Sequence, residues 1–190
     1  MMFKLSTTLA SGFVALACTT GALAAPELVS NGGFETGDFS GWTTTDAASG
    51  SMYGVDTAGP HAGSYSAFFG GSGPASDTIS QTIATSPGGS YLVSFSFDKG
   101  AGTQEGSFSA ALGGVQFFSA PAGAFAFAPV SVLVTATAAD SVLSFSGFNA
   151  SDFYTLDGVS VVAAVPEPAT FAMFSAGLLA IGVWSRRKKS

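Results

Sequence analysis

Tyr91-Leu92-Val93-Ser94-Phe95-Ser96-Phe97 places an aromatic or branched side chain at every second position, with polar or smaller residues filling most of the gaps. A strand turns successive side chains to opposite faces, so Tyr91, Val93, Phe95 and Phe97 define the buried face of a predicted strand. Working outward, Val130, Val132 and Val134 repeat the pattern, as do Leu143 and Phe145 within VLSFS. Further strands are predicted at Glu27–Asn31, Tyr65–Phe69, Thr78–Ile83, Phe108–Leu112, Val115–Ser119 and Tyr154–Val162. Gly59-Pro60, Gly70-Gly71, Pro87-Gly88-Gly89, Gly113-Gly114 and Pro121 punctuate them as turns. Eight or nine short strands with no alternating helices predict an all-β fold, a β-sandwich whose two sheets bury the many phenylalanines.

Charge is segregated along the 190 residues. Of six basic residues, Lys4 stands at the start and Arg186, Arg187, Lys188 and Lys189 at the end. The body between Ala25 and Val165 keeps Lys99 alone against eleven carboxylates, and eleven less one leaves −10. Phosphate binding depends on Lys and Arg displacing counterions, so a nucleic-acid partner is excluded. Cys18, the one cysteine, lies near the start, leaving the body without disulfide, thiolate nucleophile or zinc thiolate site.

The two ends read as export and membrane signals. Lys4, the apolar stretch Leu9–Ala17 and the small residues Ala22 and Ala24 have the three parts of a signal peptide. Cleavage after Ala24 is expected, with the Sec export machinery as partner. Nine apolar residues are too few to span about 30 Å of hydrocarbon as a helix. Ala15-Leu16-Ala17-Cys18 loosely resembles a lipoprotein box, but its branched residue stands one place too late. At the other end, Val165-Pro166-Glu167-Pro168 precedes sixteen uncharged residues, Ala169 to Trp184, and then the basic block 186–189. Periodicity does not separate a membrane helix over 169–184 from a buried one. The basic block favours the membrane and would hold that end in the cytoplasm, with the body outside. The expected division is a signal peptide (1–24), a sandwich domain (25–164) and a C-terminal tail (165–190).

The order Pro166-Glu167-Pro168, apolar helix, basic terminus resembles the PEP-CTERM sorting signal. That resemblance implies recognition by exosortase, a membrane-embedded cysteine protease-transpeptidase, and delivery to the cell surface or the exopolysaccharide matrix of a biofilm. The body carries a second resemblance. Leu28-Val29-Ser30-Asn31-Gly32-Gly33-Phe34-Glu35 followed by Gly41-Trp42, His61-Ala62-Gly63-Ser64-Tyr65-Ser66-Ala67, Ile79–Ile83 and Tyr154–Val161 are similar to segments of a carbohydrate-binding-module jelly roll of the galactose-binding-like type. In that family a structural calcium ties the first strand to the last. The resemblance thus implies Glu35 and Asp157 as side-chain ligands, with carbonyls near His61 and Ser64 beside them. Relatives often carry two acidic residues where this chain has Asp157-Gly158.

Sugar binding exploits flat aromatic rings with polar edges. Trp42 is expected in the core and Tyr65 and Tyr91 on apolar strand faces, which leaves Tyr53, in a Gly/Ser-rich stretch, as the glycan platform. Catalysis has little to stand on: His61 is the one histidine and sits in a turn, the body has no arginine, and no GxSxG elbow occurs. The expectation is a non-enzymatic exported surface or matrix protein with a structural or adhesive role. A carbohydrate-binding module with a defined glycan site is the alternative, and a polysaccharide hydrolase the more distant one.

Overall fold

The computed structural model describes residues 25–47, 50–71, 75–100, 106–120, 125–164 and 177. Ten strands follow one another: β1 (Thr43–Thr45), β2 (Ser51–Asp56), β3 (Ser66–Gly71), β4 (Asp77–Ala84), β5 (Ser90–Lys99), β6 (Gly106–Leu112), β7 (Val115–Ser119), β8 (Phe125–Thr135), β9 (Asp140–Asn149) and β10 (Tyr154–Ala163). They form two antiparallel five-stranded sheets, ordered β1-β4-β9-β6-β7 and β2-β3-β10-β5-β8. The fold is an all-β two-sheet sandwich. The predicted signal peptide, the sorting tripeptide and nearly all of the predicted membrane helix lie outside the described residues, apart from Gly177, which is helical. No helix among the described residues is long and apolar enough to cross a membrane.

Alternation decides the core. Val93, Phe95 and Phe97 of β5 meet Ile79 and Ile83 of β4, Phe108 of β6 and Leu143 and Phe145 of β9, all at most 2% exposed. Phe108 is central, with ring centroids 4.3 Å from Phe97, 5.4 Å from Phe69 and 5.6 Å from Tyr154. Aromatic pairs at such distances each add about 0.5–1.5 kcal/mol beyond the area they bury. Lys99, the lone cation of the body, is buried here with its ammonium 5.6 Å from the Tyr154 ring.

One irregularity positions the functional residues. Between Asp157 and Ser160, β10 has one residue more than its partner β5. The bulge, at Gly158 with φ +60°, lets Leu156 and Val159 both point inward. The opening segment locks onto it: Val159 N–H donates to Gly32 O at 2.9 Å. A Cβ on Gly32 would lie 1.9 Å from Val159 O, so only glycine lets the two backbones meet. Asn31 holds the following loop, donating to Thr36 Oγ1, Asp38 O and Ser40 O. Trp42 packs against Phe34 and Phe145 and donates to Asn31 O at 3.2 Å.

Three expectations change. Glu27–Asn31 makes one isolated bridge, Glu27 to Val162, rather than a strand. Its carboxylate takes over the pairing, accepting the amides of Leu28, Val29 and Val161 and the Ser160 hydroxyl. β1 and β2 are two strands that the alternation pattern does not announce.

Candidate functional site

Two acidic regions lie on the second sheet and its connections. The first is a clasp. Asp157, 1% exposed, accepts the amides of His61 and Ala62 on Oδ2, both at 2.9 Å, and that of Gly158 on Oδ1 at 2.6 Å. Glu35 accepts the Ser64 amide on both oxygens, at 3.0 and 3.1 Å, and the Tyr65 amide at 3.1 Å. The two ends of the domain are thereby tied to one segment, 61–65, which brings Glu35, Asp157, His61 and Ser64 together.

That segment turns N–H groups toward the acids, and the His61 imidazole lies 5.2 Å from the Phe127 ring. Calcium requires six to eight oxygens aimed at it. Here five amide hydrogens already point at the four carboxylate oxygens, and among the described residues no three acidic, histidine or cysteine side chains gather around a common point. Together these contacts form a hydrogen-bonded clasp.

The second region is a groove on the outer face of the second sheet. In β3, Ala67 and Phe69 are fully buried, so Ser66 and Phe68 point the other way. There a pocket of about 660 Å³ is lined by Phe68 and Phe153, by Ser51, Ser66 and Thr155, and by Asp46, Asp56, Asp98 and Asp152. A second pocket of about 490 Å³, lined in part by Asn149 and Ser151, shares Ser51, Met52, Asp152 and Phe153 with it. The two adjoin along those four residues.

Glycines shape its floor. A Cβ on Gly54 would lie 2.8 Å from Phe68 Cζ, and one on Gly70 would lie 2.6 Å from Phe153 Cε1. The bare backbone lets both rings approach the strands closely, edge to face with centroids 5.4 Å apart. Phe153 stays 38% exposed and Met52 55%, an apolar surface open to solvent. Asp77 fixes the lip: buried, it accepts the Ala47 amide at 2.8 Å, the Met52 amide at 3.2 Å and the Ser51 hydroxyl.

Two polar atoms of the groove have no partner. Ser66 Oγ, in a residue 1% exposed, lines the first pocket, and Asn149 Nδ2, in a residue 2% exposed, lines the second. A buried polar group left without a hydrogen bond costs about 1–3 kcal/mol, and a ligand bearing hydroxyls would recover it. Burial raises the Asp98 carboxyl above its ordinary range, and the charge of Asp152 raises it further.

Tyr53 is not the exposed platform that its surroundings in the sequence predict. It stands on β2 with its ring stacked between Phe39 at 5.6 Å and Phe69 at 6.3 Å, so both faces are covered. Only its hydroxyl reaches the groove, donating to Asp46. Burial, the bond to Asp46 and the nearby carboxylates hold the phenol above its ordinary range, against a lowering contact from Thr44. Phe68 and Phe153 carry the exposed aromatic surface instead. Ala67-Phe68-Phe69 contained a signal for one of them: adjacent phenylalanines on a strand must face opposite ways.

Residues 164–188 match the PEP-CTERM protein-sorting motif. No curated protein matches the chain. Among solved structures, the fold is similar to TmCBM61, solved in complex with β-1,4-galactotriose, at 20% identity and TM-score 0.59, covering 73% of this chain and 99% of that one. It is also similar to the CBM22-1 xylan-binding domain from Paenibacillus barcinonensis Xyn10C, at 16% identity and TM-score 0.57, covering 77% and 99%. A third similarity is to the enzymatically active domain of bacteriophage CBA120 tailspike protein 4, at 18% identity and TM-score 0.54, covering 72% of this chain but 21% of that one. The chain therefore carries a PEP-CTERM protein-sorting motif behind a β-sandwich that shares the fold of carbohydrate-binding modules.

Proposed function

We propose that this chain is an exported glycan-binding protein, sorted by exosortase through its C-terminal tail. Its sandwich holds polysaccharide in the groove over Phe68 and Phe153. The observation that carries the reading is the joint presence, in these adjoining pockets, of an exposed aromatic floor and two buried polar atoms without partners. Sugar rings offer an apolar face to the first and hydroxyls to the second. The pocket volume lies in the range of small-ligand sites.

The tail supports placement at the cell surface or in the exopolysaccharide matrix, where glycan binding would make the protein structural and adhesive. In this reading the leader 1–24 is removed on export through Sec. The helix over 169–184 stops in the membrane until exosortase cuts near Pro166-Glu167-Pro168. Mass spectrometry of the native product is expected to show residues beyond about Pro168 absent, and an intact tail in wild-type cells would contradict the processing.

Affinity electrophoresis through the producing cell's own exopolysaccharide tests the groove. Retardation of wild type and its loss in Phe153→Ala are expected, with no new reducing ends released from the polymer. Unretarded migration through every polysaccharide tried would overturn the reading.

A further inference from the structure

The groove that the proposed function assigns to glycan has a sign, and this inference rests on that reading. Its charged lining residues are Asp46, Asp56, Asp98 and Asp152, contributed by the β1–β2 connection, β2, β5 and the turn before β10, and among the described residues no Lys, Arg or His lines it with them. Three of the four carboxylates also hold their own surroundings. Asp46 accepts the Tyr53 hydroxyl, Asp56 the Ala58 amide at 3.0 Å and Asp152 the Phe153 amide at 2.9 Å. Asp98 and Asp152 are a like-charged pair. A Cβ on Gly100 would lie 2.3 Å from Asp152 Oδ2, so the bare end of β5 is what admits the Asp152 carboxylate beside Asp98. The raised Asp98 carboxyl reports the cost of that approach, after the larger contribution of burial. The neighbouring buried Ser66 hydroxyl without a partner points, independently of charge, to a ligand that forms hydrogen bonds there.

We propose that the groove selects an amine-bearing sugar, its ring over Phe68 and Phe153, its hydroxyls toward Ser66, and its ammonium between Asp98 and Asp152. An ammonium there would remove the repulsion between the two carboxylates, whereas a uronate would add to it. The body's charge of −10 acts in the same direction at longer range.

The test is calorimetric titration of the full chain, purified in detergent, with four oligosaccharides of equal length. These are a glucosamine oligomer, its N-acetylated counterpart, a neutral β-linked glucan and a uronic-acid oligomer. The glucosamine oligomer is expected to bind about tenfold or more tighter than the N-acetylated one, and the uronate not at all. Asp98→Asn should bring the first two to within about threefold of each other, and lower pH should weaken glucosamine binding as Asp98 protonates. Asp140→Asn, the same charge change at the exposed start of β9, should leave the preference intact. An equal loss in Asp98→Asn and Asp140→Asn would reduce the preference to general electrostatics and overturn the inference. Equal affinity for amine and neutral sugars, lost in Phe153→Ala, would overturn the amine preference and keep the glycan groove. Binding of none of the four, together with no retardation by native polysaccharide, would overturn both.

Discussion

The clasp and the groove use the same residue type to opposite ends. Around segment 61–65, Asp157 and Glu35 collect backbone amides. In the groove, two carboxylates confront each other, two buried polar atoms lack partners, and an aromatic ring stays open. The clasp acids hold the domain's ends together; the groove acids line the pocket proposed to take a ligand. The difference lies in what surrounds each carboxylate and is invisible in a count of acidic residues.

If that contrast holds, stability and binding should separate by region. Asp157→Ala removes the acceptor of three amides from a buried position, and is expected to cost about 3–5 kcal/mol, read as a lower denaturant midpoint. A loss under about 1 kcal/mol would break the comparison on the clasp side. Phe153→Ala, at the residue just before β10 and partly in solvent, should cost about 1 kcal/mol or less while abolishing retention by polysaccharide.

A subtler effect concerns Glu27. Burial works to raise its pKa, but hydrogen bonds from Ser160 and the amides of Val161, Val29 and Leu28 outweigh it and hold the carboxyl below its ordinary range. A carboxyl depressed in the folded chain adds stability above its unfolded pKa and loses it as pH falls through the folded one. Ser160→Ala should therefore flatten the acid limb of the stability profile by about 0.5–1 kcal/mol, measured by denaturation across pH 2–6. An unchanged limb would show that the Ser160 bond does not contribute. The smallest effect is a null. Saturating EDTA should leave the thermal midpoint where it was, because the clasp is made of amides; a drop of several degrees would reinstate the calcium implied by the family resemblance.

How much of this was legible in the sequence follows from the forces at work. Most of β3 through β10 announce themselves because one face is turned inward with a period of two, although β7 has no fully buried residue. β1 is Thr43-Thr44-Thr45, exposed throughout, and holds its place by pairing with β4, so no apolar pattern marks it. β2 has Tyr53 and Val55 facing inward, but Met52 and Gly54 between them blur the alternation. The clasp was legible as a set of residues through the resemblance, while its chemistry was not: whether a turn offers amides or carbonyls depends on backbone torsions that side-chain identity leaves open. The groove was least legible. Phe153 lies in a turn, Asp98 on β5 and Ser66 on β3, and only the pairing of β3 with β10 and of β10 with β5 brings the groove residues to one face. Tyr53 was misjudged for a related reason, since a Gly/Ser-rich neighbourhood says nothing about rings arriving from Phe39 and Phe69.

The most direct test of the groove as the binding surface is a nuclear magnetic resonance titration of the labelled chain with fragments of the native exopolysaccharide. Shifts concentrated at Met52, Ser66, Phe68, Asn149 and Phe153, with the amides of 61–65 unmoved, are the predicted result. Shifts clustered on segment 61–65 or on the β1-β4-β9-β6-β7 sheet, with the groove silent, would contradict it.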